Sequence, residues 1–203
     1  MSVHSLRFKM PRTNNKKELI IDAAIKVFAR KGFYNAKVAD VAKRAGVADG
    51  TIYLYFKNKD DLLISLFETK MEEILTRFSS LIEKKISAEK KLREFINLYF
   101  LMIEQDQDLA EVFQVELRQS SKFLKDYHNQ KFIDFLNIIG AIIEEGIAQS
   151  LFNKNISIHN VKLLLFGALD ELARQWILTG DASRSLKQTA NETADILLYG
   201  MLK

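Results

Sequence analysis

Along most of this 203-residue chain, apolar side chains return every three or four positions, the period of a helix with one buried face. The first such stretch predicts a helix over 15–31, with Leu19, Ile20, Ala23, Ala24, Val27 and Phe28 inward. Gly32 stops it, and Phe33 can fold back beneath. A second helix, over 38–45, sets Val38, Val41, Ala42 and Ala45 on one side and ends at Gly46, a residue type that enters the left-handed conformation cheaply. The third, over 50–55, is short, with Asp49 as its N-cap and Ile52 and Phe56 turned inward. From Lys59 the pattern lengthens into helices over 59–85, 88–104, 109–119, 122–151, 157–179 and 183–202. The fourth opens on Asp60 and Asp61, carboxylates suited to a helix N-terminus. No flexible linker precedes it, so it is the mechanical link between a small head and a larger body.

The expected architecture is all-α with about nine helices. A basic arm (1–15) precedes a three-helix helix-turn-helix domain (16–59), and a helical effector-binding and dimerisation domain (60–203) follows. One proline and eight glycines in the whole chain agree, since strands and turns need more breakers. The absence of cysteine excludes disulfides and thiolate metal sites. No signal-like segment opens the chain and the apolar runs are too short to span a bilayer, so a cytoplasmic protein away from membranes is expected. His4, His128 and His159 are scattered, and neither a zinc-protease motif, a phosphate loop nor a nucleophile elbow occurs, which argues against an enzyme. Charge is unevenly divided: residues 1–59 hold 13 Lys or Arg against 4 Asp or Glu, and the remainder hold 17 against 22. A basic head on an acidic body suits a polyanionic partner for the head alone.

The stretch from Gly46 to Lys59 carries the chemistry. Two short helices joined by a glycine turn make a helix-turn-helix, whose second helix can enter the major groove of DNA. Ala48, Asp49 and Gly50 are small enough to let a phosphate approach the helix start. Thr51, Tyr53 and Tyr55 project outward toward phosphates, sugars and base edges. Lys57 and Lys59 follow where the backbone continues, and Lys37 stands at the entry to the second helix. A tight corner with solvated lysines is the plainer alternative.

The run Ala45-Gly46-Val47, Gly50-Thr51-Ile52-Tyr53, Tyr55-Phe56 and Lys59, with Ile21-Asp22-Ala23-Ala24 and Phe28-Ala29-Arg30-Lys31-Gly32-Phe33 upstream, resembles the signature of TetR-type transcriptional regulators. It departs at Tyr55, where that family often has histidine. The predicted eighth helix is apolar on more than one side, and the ninth offers Leu197, Leu198 and Met201. With Trp176 and Ile177 these are candidates for a homodimer interface, a four-helix bundle that the resemblance also implies; a monomeric core is the alternative.

The body is rich in phenylalanine, which by default is core but can also surround an apolar site between helices. The candidate wall comprises Phe95, Tyr99, Phe113, Leu117, Phe135, Ile139, Phe166, Leu169 and Trp176. Arg118 and Arg174 are candidates for a forked contact with an anionic ligand group, against the alternative of ion pairs to Glu116 and Glu171. Glu116-Leu117-Arg118-Gln119-Ser120, Glu144-Glu145-Gly146-Ile147 and Phe166-Gly167-Ala168 with Asp170, Glu171 and Trp176 are similar to the fatty-acid-degradation repressors of Gram-positive bacteria. That resemblance implies long-chain acyl-CoA as the effector, with no cofactor or metal, and release from a palindromic double-stranded operator. A sensor of another hydrophobic molecule, such as a drug, and an acyl-CoA-binding enzyme are the competing readings.

Overall fold

The computed structural model describes residues 16–117, 127–180 and 185–201. Nine α-helices run through them: α1 (Lys16–Lys31), α2 (Val38–Ala45), α3 (Asp49–Tyr53), α4 (Lys59–Ser79), α5 (Ala88–Gln105), α6 (Gln107–Glu111), α7 (Gln130–Ala148), α8 (Ile158–Thr179) and α9 (Leu186–Tyr199). Helix α6 continues directly into a π-helical turn, Val112–Glu116.

In the head, α1 packs on α2, and α2 on α3. Gly46 ends α2 at φ 69°, where Val47 N–H reaches back to the Ala42 carbonyl at 3.0 Å, a left-handed helix stop. Leu19, expected inside, is 49% exposed, while Ile21 and Ile25 are buried. The buried arc of α1 is turned because this helix also packs against α4, α6 and the π turn of the body.

In the body, α4, α5, α7 and α8 surround the core, and α9 closes it against α5. Phe78, Phe95 and Phe135 meet edge to face or tilted, with centroids 4.6 to 5.4 Å apart. Lys91, only 3% exposed, ties α5 to its neighbours by donating to the Ile82 carbonyl and to Glu145, each at 2.7 Å. Gly146 on α7 is required by close approach: a Cβ there would lie 2.1 Å from the buried Phe152 ring.

Several helices are shorter than the pattern predicts, α9 (Leu186–Tyr199 against the expected 183–202) among them. Helix α4 stops at Ser79 rather than near Lys85, where the hydroxyls of Ser79 and Ser80 donate to carbonyls of their own last turn. Of the helix expected over 122–151, residues 122–126 lie outside the described residues, and α7 runs from Gln130, where Asn129 accepts the Phe132 N–H at 3.0 Å and caps it, to Ala148. The expected helix over 109–119 starts two residues earlier, capped by Asp106, and changes to π geometry at Val112. Arg118, one of the candidate ligand residues, lies outside the described residues. No described helix is long and apolar enough to cross a membrane, and no described cluster of His, Asp or Glu could hold a metal.

Candidate nucleic-acid interface and ligand cavity

Helix α3 is a single turn held down by Ile52 and Phe56, which are 1% and 2% exposed. It begins at Asp49, not Gly50. Ala48 is its N-cap: its methyl cannot cap, but its carbonyl accepts the Thr51 N–H at 2.8 Å. Asp49 therefore sits in the first turn, where a carboxylate suits the helix dipole. Tyr53 and Tyr55 are outward, as expected, and Thr51 is half-buried. Leu54, which the sequence pattern did not single out, is 80% exposed between the two tyrosines and offers an apolar contact for a thymine methyl. Nothing lies within 4 Å of where a Gly50 Cβ would be, so the helix start is open to an approaching strand.

Lys37 is exposed and heads α2. Its N–H donates to Asp40 at 3.0 Å, and Asp40 also accepts from Lys31 at 2.7 Å. The Lys31 bond first, and the Lys37 N–H second, hold the Asp40 carboxyl below its ordinary value. Lys57 is exposed, and its N–H donates to Asp61 at 2.8 Å, while Asn58 caps α4 by accepting the Asp61 N–H at 2.9 Å.

Lys59 corrects the sequence reading. Its ammonium is not turned to the solvent beside Lys57 but donates to the carbonyls of Phe33, Tyr34 and Ala36 at 2.6, 3.1 and 3.0 Å, and lies 4.6 Å over the Phe33 ring. The turn between α1 and α2 is thereby pinned to the start of α4. From the other side the Phe33 N–H donates to Glu116, a carboxylate only 4% exposed at the end of the π turn. A third link joins Lys70 of α4 to Asp22 of α1 at 3.3 Å and to Glu73 at 3.1 Å. Burial lowers the Lys70 pKa, but the bond to Glu73 and the Asp22 charge outweigh it, and the net shift is upward.

The same π turn forms one wall of an apolar cavity of about 310 Å³, at the lower end of the size range of small-molecule sites. Phe113, Gln114 and Leu117 line it from this side, with Tyr99, Met102 and Ile103 of α5 opposite. Phe135 of α7 and Phe166 of α8 complete the part expected from sequence, together with Phe132 and Asn129. Helix α4 contributes Phe67, Met71, Ile74 and Phe78, none of which was singled out as wall. Their i, i+4, i+7, i+11 spacing is an ordinary core stripe, and only its proximity to other phenylalanines marks a void. Among the described lining residues Asp106 and Asp170 are the charged ones, and there is no cation. Gln114, 5% exposed, donates to the Tyr99 hydroxyl at 3.0 Å and leaves its carbonyl oxygen without a partner. A π insertion with an unsatisfied buried polar group beside a cavity is a common mark of function.

Other candidates fall elsewhere. Phe95, Ile139 and Leu169 are fully buried behind the wall, in contact with other side chains rather than with the cavity. Arg174 makes its forked contact with Glu171 of its own helix, at 2.8 and 2.6 Å, and does not line the cavity. Trp176 is half-buried on α8 outside the cavity. Of the candidate dimer contacts, Ile177 and Leu197 are half-buried, but Leu198 and Met201 are 1% and 6% exposed and belong to the core. Ala190, Ala194, Leu198 and Met201 share the α9 stripe that faces inward, which turns Ile196 and Tyr199 out to 73% and 80% exposure. Leu164 and Leu178 of α8 are likewise exposed, at 69% and 55%.

Residues 20–66 match the family described as bacterial regulatory proteins of the tetR family, and residues 67–200 match the YsiA-like protein C-terminal region. The fatty acid metabolism regulator protein of Bacillus subtilis (strain 168) is 39% identical over 182 residues, 90% of this chain and 93% of that protein. The crystal structure of the Bacillus subtilis transcriptional regulator FadR in complex with stearoyl-CoA matches with a TM-score of 0.85 at 38% identity, over 90% of this chain and 98% of that one. The structure of the fatty acid degradation regulator FadR from Bacillus halodurans matches at 0.86 and 36% identity, over 93% and 97%. With both parts of the chain matched in this way, the chain belongs to the TetR family of bacterial regulatory proteins.

Proposed function

We propose that this chain is a homodimeric repressor of fatty-acid degradation genes that leaves a palindromic operator when long-chain acyl-CoA binds. The observation that carries the reading is the double role of the π turn. On one side Phe113, Gln114 and Leu117 line the apolar cavity; on the other Glu116 holds the turn that leads into the helix-turn-helix. Residues 16–59 read DNA and 60–203 hold the effector and the partner protomer. Tyr53, Tyr55, Lys57 and Lys37 contact the backbone and Leu54 and Thr51 the base edges. An acyl chain entering between α4, α5 and α7 pushes the π turn and α4 apart and changes the spacing of the two heads. The effector must favour the spaced-out state, and a coupling of about 1 to 3 kcal/mol weakens operator binding roughly 5- to 150-fold. The outer faces of α8 and α9, with Leu164, Leu178, Ile196 and Tyr199, form the two-fold interface. The relatives whose names refer to fatty acid metabolism and to stearoyl-CoA support this choice of effector.

The test is a titration of a palindromic promoter fragment and protein with palmitoyl-CoA at fixed salt, with palmitate and CoA as controls. Release by the thioester alone is expected; retention at saturating thioester refutes the effector. Asp106 and Asp170 among aromatic rings favour a second reading, an aromatic cation such as a drug. Preferential release by an aromatic dye cation in competition would support it.

A further inference from the structure

Apart from the surface around α3, the head carries a second charged feature. Helices α1 and α2 lie side by side and border an open groove of about 780 Å³ with Leu19, Ala23, Val27 and Ala45 among its apolar residues. Lys26 and Arg30 line it from α1, one turn apart, and Lys43 and Arg44 from the last turn of α2. All four are exposed, and none pairs with a carboxylate among the described residues. The two carboxylates of the groove are already engaged. Asp22 faces Lys70 at 3.3 Å, and Asp40 holds Lys31 at 2.7 Å and the Lys37 N–H at 3.0 Å. Lys31 is therefore neutralised in place, and the four remaining cations stand without compensation. Like charges one turn apart weaken a helix slightly, so this arrangement has a cost that a polyanion would remove.

The ends of the groove indicate which polyanion. At one end Lys31 and Asp40 adjoin Lys37, which heads α2; at the other Ala45 precedes Gly46 and the turn into α3. In a helix-turn-helix the first helix crosses the DNA backbone while the second enters the major groove. A strand that crosses beneath α2 would meet this groove where it leaves the half-site. We propose that the α1–α2 groove holds the phosphate backbone of duplex flanking each half-site, independently of sequence, through Lys26, Arg30, Lys43 and Arg44. The inference rests on the DNA-binding reading above and adds a contact surface distinct from Tyr53, Leu54 and Tyr55. Continuity with that surface on the same rigid head favours duplex DNA over an acidic protein segment.

The experiment compares the full chain with the variant Lys26→Ala, Arg30→Ala, Lys43→Ala, Arg44→Ala. The probes are a palindrome selected by the protein from a random pool, either trimmed to its protected core or extended by about one helical turn on each side. Melting temperature and palmitoyl-CoA binding establish that the variant is folded. On the extended duplex the variant is expected to bind about tenfold more weakly. The slope of log affinity against log salt should become shallower by roughly 3 to 4, since each phosphate contact contributes about 0.9. On the trimmed duplex the two proteins should agree within about twofold. Equal affinity and slope on the extended duplex would overturn the proposal, and so would an equal loss on both duplexes, which would assign the cations to the operator core. Failure of the unaltered protein to select any duplex would instead overturn the DNA-binding reading itself.

Discussion

Head and body are built from helices of the same period, but they use their apolar faces differently. In the head, inward side chains meet one another completely: Ile20, Ala24, Phe28, Val41, Ala42 and Ile52 are all at 1% exposure or less. In the body, Phe78, Phe95 and Phe135 meet edge to face or tilted, yet two of them, Phe78 and Phe135, also border a void of about 310 Å³ with Met71, Ile74, Phe113 and Phe132. A close-packed unit moves as one piece, whereas a unit with a void can repack when it is filled. The difference teaches where information enters and where it is only passed on.

The comparison predicts distinct failures when each region is altered. Phe78→Ala removes a fully buried ring from the aromatic cluster and should cost about 3 to 5 kcal/mol of stability, read by denaturant unfolding. A loss well below 1 kcal/mol would mean that the cluster is loosely packed and the contrast with the head is absent. Tyr53→Ala should weaken operator binding by about 100-fold while palmitoyl-CoA still raises the melting temperature as before. An unchanged gel shift would defeat the placement of α3 on DNA. Glu116→Ala breaks the bond from the π turn to the Phe33 N–H, and should leave both ligands binding but reduce their coupling by about fivefold. Coupling that survives intact would assign the signal to α4 alone.

The smallest effect concerns Glu111, whose pKa is raised above 4.5, first by burial and then by the charge of Glu116. Between 4.5 and the raised value the folded chain binds more protons than the unfolded one, so stability falls as pH rises through that window. Glu111→Gln should flatten this slope in melting temperature and leave the protein slightly more stable at neutral pH. A slope unchanged by the substitution would place its source elsewhere.

Much of the head was legible in the sequence, because its signals are local: Gly46 for the stop, Asp60 and Asp61 for the start of α4, Ile52 and Phe56 for the anchor, although the cap of α3 fell on Ala48 and not Asp49. Lys59 was misread for the complementary reason. Its three carbonyl partners lie 23 to 26 residues upstream, in a turn that no periodicity describes. The cavity was half legible. Tyr99, Phe113, Leu117, Phe135 and Phe166 line it, but Phe95, Ile139 and Leu169 share the same spacing and are solid core. An apolar stripe announces burial without saying whether a neighbour fills the space beyond it. For α9 the error was one of rotation: Leu198 and Ile196 are two residues apart, and that offset separates the core from the outer face.

The ammonium of Lys59 is bound by carbonyl dipoles and an aromatic face, not by a carboxylate. Dipoles hold a cation without cancelling it. The monopole survives, so this lysine orders the turn and still adds a full positive charge to the field that approaching DNA experiences. A carboxylate clasp of the same geometry would have anchored the turn equally well and left the head one charge less attractive to a polyanion at a distance.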